Sequence, residues 1–170
     1  PRRAWQAPAL RLLLARPGDA VAPRAAHSER EGRLTDAGRR TMPSVGEMLS
    51  RLDLHYSRIL TSPLVRAVQT AEILALTQPG FDGPVEVHRA LSTEQGTTAQ
   101  ALEPLETAGD EELIAMVTHM PKVGVLAAHL GRLAHAPGFG TASVCLLNVE
   151  DGRGRAQWML DPRTLELKRF

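Results

Sequence analysis

The sequence predicts a single α/β domain, residues 1–170, built on a mixed but largely parallel sheet with helices on both faces. Short apolar runs at 10–15, 58–61 and 113–118 have the length of buried strands, and each is followed by a turn or a helix-start signal. Two further apolar stretches, 143–149 and 156–160, flank Glu150-Asp151-Gly152-Arg153-Gly154, the pattern of a closing antiparallel hairpin.

Taken in order, the basic start Pro1-Arg2-Arg3 ahead of an apolar segment has a faint likeness to a signal peptide. Arg11 interrupts that short segment, so a first buried strand is the expected reading. Thr35-Asp36 opens a helix with Met42, Val45, Met48, Leu49 and Leu52 at three-to-four spacing. Pro43 lies well past its first turn and is expected to kink or break it. After the second run, Ser62 supplies an N-cap hydroxyl and Pro63 a first helical residue, followed by the stripe Val65, Val68, Ala71, Ile73 and Leu74. A third helix is expected over 120–130, with Val123, Leu126, Ala127 and Leu130 on one face.

A length of 170 residues and a hydrophobic content of 43% suffice for one continuous core. The 20 basic and 19 acidic side chains nearly cancel, so no whole-molecule field favours nucleic acid or an anionic membrane as partner. No stretch approaches the ~20 apolar residues of a membrane span, and a cytoplasmic protein is expected. The single Cys145 excludes an internal disulfide, and within Val144-Cys145-Leu146-Leu147 it reads as a buried, inert thiol. No metal or cofactor is expected. Lys122 and Lys168 are the only lysines. Positive charge is therefore almost all guanidinium, whose fork suits phosphate.

In sheets of this kind, ligands bind beyond the carboxyl ends of the strands. The residues there form a coherent set: Arg16-Pro17-Gly18-Asp19 after the first run, Thr61-Ser62-Pro63-Leu64-Val65-Arg66 after the second, Thr118-His119 after the third. Taken singly, each arginine is ordinarily a solvated residue and a strand-end histidine a structural one. Together, two guanidinia, a histidine, a glycine and a helix N-terminus on one edge make an oxyanion site.

The stretch from Leu12 through Arg16-Pro17-Gly18-Asp19-Ala20 resembles the Arg-His-Gly signature of SixA-type phosphohistidine phosphatases, in the histidine phosphatase superfamily, with proline in the histidine position. Arg33-Leu34-Thr35-Asp36-Ala37-Gly38 resembles that family's Leu-Thr, then Gly, helix entry. Residues 62–71 resemble its Ser-Pro-x-x-Arg-Ala-x-Gln-Thr motif, and Thr118-His119-Met120-Pro121 the segment carrying its second histidine. The tail from Thr141 through Trp158 to Leu165 follows the family's closing strands.

The resemblance implies a three-layer, phosphoglycerate-mutase-like fold. It also implies an enzyme in which the first histidine takes the phosphoryl group while two arginines and the second histidine bind it. Arg16, Arg66 and His119 match that set, with Gly18 and Ser62 beside them. Glu94 is a candidate acid near the pocket mouth, although a solvated loop glutamate is the commoner fate. Pro17 does not match, because its nitrogen is a tertiary amide with no nucleophilic lone pair. The main reading is therefore a degenerate family member that binds phosphate-like oxyanion or a phosphohistidine-bearing protein without turnover. The alternatives are a phosphatase using His27, His119 or bound water, and a vestigial pocket.

Overall fold

The computed structural model describes residues 10–22, 28–109, 112–150 and 153–170. Its strands are β1 (Leu10–Ala15), β2 (Arg58–Thr61), β3 (Val85–Val87), β4 (Leu113–Val117), β5 (Val144–Glu150), β6 (Arg153–Leu160) and β7 (Leu167–Arg169). Its helices are α1 (Asp36–Arg51), α2 (Val65–Thr77), α3 (Thr98–Leu102) and α4 (Lys122–Gly131). The strands form one sheet in the order β3-β2-β4-β1-β5-β6-β7. Pairing is parallel among β3, β2, β4 and β1, and antiparallel from β1 through β5 and β6 to β7.

The central strands are apolar on both faces because both faces are covered. Leu13, Ala15, Ile59, Ala115 and Val117 pack with Met42, Val45 and Leu49 of α1 and with Ala67, Ala71 and Leu74 of α2. Their alternate neighbours Leu12, Leu14, Leu60, Ile114 and Met116 pack with Ala101 of α3 and with Val123, Leu126 and Leu130 of α4. The period-two alternation thus assigns each strand residue to one of two cores, and the expected three-layer architecture follows. Cys145 is fully buried in the second core, and burial pushes its thiol up to about 12, as befits an inert group.

Two expectations about helices are corrected. α1 runs through Pro43 without interruption from Asp36 to Arg51. A proline removes one interior hydrogen bond, but Met42, Val45 and Leu49 on the surrounding turns are all fully buried, and that packing holds the helix together. α2 starts at Val65 with Leu64 as its N-cap, not at Pro63. Ser62 Oγ does accept the Leu64 N–H at 3.3 Å, yet it lies before the helix and is engaged elsewhere. The hairpin expected near the C-terminus is present as β5 and β6 and is extended by β7; residues 151 and 152, the basic start and His27 lie outside the described residues.

Candidate functional site

Register brings the site together. Ala15, Val117 and Thr61 stand in one row across β1, β4 and β2, so the three parallel strands end side by side. The next residues, Arg16, Thr118-His119 and Ser62, therefore leave the sheet at the same edge. The link is tightened by Thr118 N–H to the Ala15 carbonyl and Ser62 N–H to the Val117 carbonyl, both at 3.0 Å.

The segment after β1 is held at every residue. Arg16 N–H donates to the Ser143 carbonyl at 3.0 Å and its guanidinium Nη1 to the Phe139 carbonyl at 2.6 Å. The Pro17 carbonyl accepts the Ala142 N–H at 2.9 Å, and Gly18 N–H donates to Thr70 Oγ1 at 3.2 Å. The Asp19 carbonyl accepts the Thr35 N–H at 2.9 Å, while Thr35 Oγ1 donates to Asp19 Oδ2 at 2.6 Å.

These contacts explain the motifs of the sequence. Thr35 caps α1 by accepting the Gly38 N–H at 3.1 Å. Gly38 has no room for a side chain, since a Cβ there would lie 2.3 Å from the Asp19 carbonyl oxygen. One turn beyond Arg66, Gln69 Oε1 accepts the Leu34 N–H at 2.8 Å and Thr70 supports Gly18. The Gln-Thr pair of α2 thus clamps both the β1 loop and the start of α1.

Arg16, Pro17, Gly18, Asp19, Arg66 and His119 together line one open cavity of about 380 Å³, and Thr93 and Thr141 also line it. His119 is only 4% exposed, and its Nε2 lies 2.7 Å from Ser62 Oγ. Burial, reinforced by the Arg66 and Arg16 guanidinia and the Lys122 ammonium, lowers its pKa from 6.5 to about 3. The ring is therefore neutral at pH 7, and the positive charge facing the cavity belongs to the arginines.

Of the residues singled out in the sequence, Arg16, Pro17, Gly18, Arg66 and His119 share this cavity. Ser62 does not line it; it is fully buried and acts on His119 from behind. Glu94 lines an adjoining cavity of about 340 Å³ with Arg30, Pro63, Leu64 and Arg89, and pairs with Arg30 at 3.3 Å. Thr93 borders both cavities. Thr93, Thr70 and the Phe139 carbonyl are not singled out by the sequence: Thr70 lies within the Ser-Pro-x-x-Arg-Ala-x-Gln-Thr motif, whereas a wall threonine and a main-chain carbonyl carry no sequence signal. Among the described residues, no cluster of His, Cys, Asp or Glu is arranged to hold a metal ion, and no helix is long and apolar enough to cross a membrane.

The chain is similar in sequence and fold to known proteins. A family model described as the histidine phosphatase superfamily (branch 1) matches residues 12–94. An uncharacterized protein of Picosynechococcus sp. is 35% identical over 126 residues, covering 73% of this chain and 74% of that protein. Phosphohistidine phosphatase SixA of Escherichia coli is 28% identical over 163 residues, covering 93% and 98%. The solved structure of the protein histidine phosphatase SixA complexed with tungstate superposes with a TM-score of 0.81 at 25% identity, covering 92% of this chain and 99% of that one.

Proposed function

This chain belongs to the histidine phosphatase superfamily and is SixA-like, and on that premise we propose that it is a recognition module for phosphate-like oxyanions, above all the phosphoryl group of a phosphohistidine-bearing protein. One observation carries the reading: Arg16, Arg66 and His119 line a single cavity, while the residue in the same wall at the end of β1 is Pro17. Two guanidinia offer charge-assisted hydrogen bonds to phosphoryl oxygens. The amide nitrogen of proline offers no electron pair for attack on phosphorus, so binding without a phosphoenzyme is the expected behaviour. The tungstate complex of SixA supports the choice of anion.

Isothermal titration with tungstate and phosphate tests the reading. The parent chain should bind, and Arg16→Ala and Arg66→Ala should each bind roughly tenfold or more weakly, the scale of a lost hydrogen bond to a charged group. Equal binding by all three, or by none, defeats it.

The second reading is hydrolysis through His119, favoured by one fact: its ring is held neutral at the cavity wall and so keeps a lone pair. Incubation with a labelled phosphohistidine peptide separates the two readings. Label transferred to His119 at catalytic rates would establish the enzyme in place of the binding module.

A further inference from the structure

Lys122 is the first residue of α4, where an ammonium opposes the positive end of the helix dipole. Its surroundings answer that charge. The three N–H groups of Nζ face the carbonyls of Ala90 at 2.7 Å, Ser92 at 2.6 Å and Gln95, with the carbonyl of Gly96 sharing them from 3.4 Å. Residues 90–96 therefore curl around one cation. The curl is closed further by Ser92 Oγ, which accepts the Gln95 N–H at 3.2 Å. Gly96 completes it at φ +81°, where a Cβ would fall 2.5 Å from Ala90 Cα. The Leu91 carbonyl in turn accepts Thr118 Oγ1, next to His119.

Four main-chain carbonyls converging on one point repel one another unless a cation sits among them. Neutral carbonyl oxygens at such distances suit a large monovalent cation, since they replace the hydration shell of potassium in channels. Here the lysine ammonium fills that place, a compact charge on a flexible stem that a planar guanidinium would not match. The loop so held carries Thr93, which borders both the anion cavity and its neighbour.

We propose that Lys122 is a positioning residue for the anion cavity: its ammonium occupies a monovalent-cation cage built from the carbonyls of Ala90, Ser92, Gln95 and Gly96 and thereby fixes the wall that carries Thr93. This rests on reading the cavity as an oxyanion site. Truncating the side chain to alanine vacates an ion-sized cage, whereas methionine keeps a stem of similar length without the charge. The two variants therefore differ in whether a free ion can take over.

The experiment titrates tungstate into the parent chain, Lys122→Ala and Lys122→Met, each in lithium, potassium and ammonium chloride at equal ionic strength, with hydrogen exchange read over residues 90–96. The parent should be indifferent to the salt. Lys122→Ala should bind about tenfold more weakly in lithium, the scale on which coupled neighbours act, and should recover both affinity and loop protection in ammonium or potassium. Lys122→Met should stay weak in all three salts. If Lys122→Ala is unfolded in lithium, refolding by ammonium reads the same cage. Undiminished binding by either variant, or a loss that ammonium and potassium leave unchanged, overturns the proposal while the oxyanion reading stands. Failure of the parent itself to bind tungstate overturns that reading and the positioning role with it.

Discussion

His119 Nε2 lies 2.7 Å from Ser62 Oγ, and this side-chain contact adds to the main-chain bond between Ser62 and Val117 that joins the ends of β2 and β4 beside the anion cavity. Neither partner has an alternative in solvent, since Ser62 is fully buried and His119 nearly so. Ser62→Ala leaves the ring nitrogen and the Leu64 N–H without their partner. Stability should fall by about 1–3 kcal/mol, the usual penalty for an orphaned buried polar group. Tungstate affinity should fall too, because the ring loses its fixed orientation. Urea denaturation and titration calorimetry on the same sample check both, and a variant equal to the parent in each would show the contact to be idle.

The lowered pKa of His119 has a definite sign in acid. The folded ring takes a proton only near pH 3, whereas an unfolded one takes it near 6.5. Between those values the unfolded chain holds the extra proton. The contribution of the neutral ring is therefore complete above about pH 6.5 and is lost as pH falls, by up to about 1.4 kcal/mol per pH unit. The comparison is with His119→Gln, which removes this one titrating group and leaves the rest of the chain unchanged. Urea midpoints at pH 7.5, 6.0 and 5.0 should show the parent losing stability faster than the variant; parallel curves would refute the assignment.

Gly38→Ala sets helix propensity against contact. In α1, alanine is favoured over glycine by about 1 kcal/mol. Against that, the new Cβ would stand 2.3 Å from the Asp19 carbonyl oxygen, a main-chain atom that cannot swing aside. Overpacking of this kind costs about 1–3 kcal/mol, and the contact should win. Because the displaced segment lines the cavity, tungstate binding should weaken along with thermal stability. Gly138→Ala, with nothing within 4 Å of its Cβ, is the control and should change stability by no more than about 0.5 kcal/mol.

The parts of this molecule legible in the sequence are those that rest on side-chain type. β1, β2 and β4 announce themselves as apolar runs because both faces are buried, and the residues after them stand at one edge because parallel strands share a direction. β3 and β7 escape notice: each has only three residues, none of them fully buried, and is too short to show a pattern of period two. Pro43 misleads because local propensity speaks for a break, while Met42, Val45 and Leu49 bind the helix to the sheet on either side of it. The supports of the site are hardest to foresee. The Phe139 carbonyl under Arg16 and the carbonyl cage around Lys122 use groups that every residue possesses, so only the folded chain distinguishes them.

Pro17→His should partly create the chemistry that proline lacks. The main chain around position 17 is fixed without help from the pyrrolidine ring, through Arg16 N–H to Ser143, the Pro17 carbonyl to Ala142 N–H, and Gly18 N–H to Thr70. A histidine there inherits that trace and stands in the wall shared with Arg16, Arg66 and His119. Two effects work against full activity. The substitution adds a main-chain N–H in a buried place, which costs about 1–3 kcal/mol unless it finds an acceptor. A nucleophile displaced by even ~1 Å loses about a hundredfold in rate. The expected outcome is a labelled phosphoenzyme and slow turnover of a phosphohistidine peptide by Pro17→His, both absent from the parent chain and both reduced in Pro17→His/His119→Ala. A folded Pro17→His variant that binds tungstate yet forms no phosphoenzyme would mean that the cavity has diverged from a catalytic one at more than residue 17, and the vestigial reading of the pocket's chemistry would then be preferred.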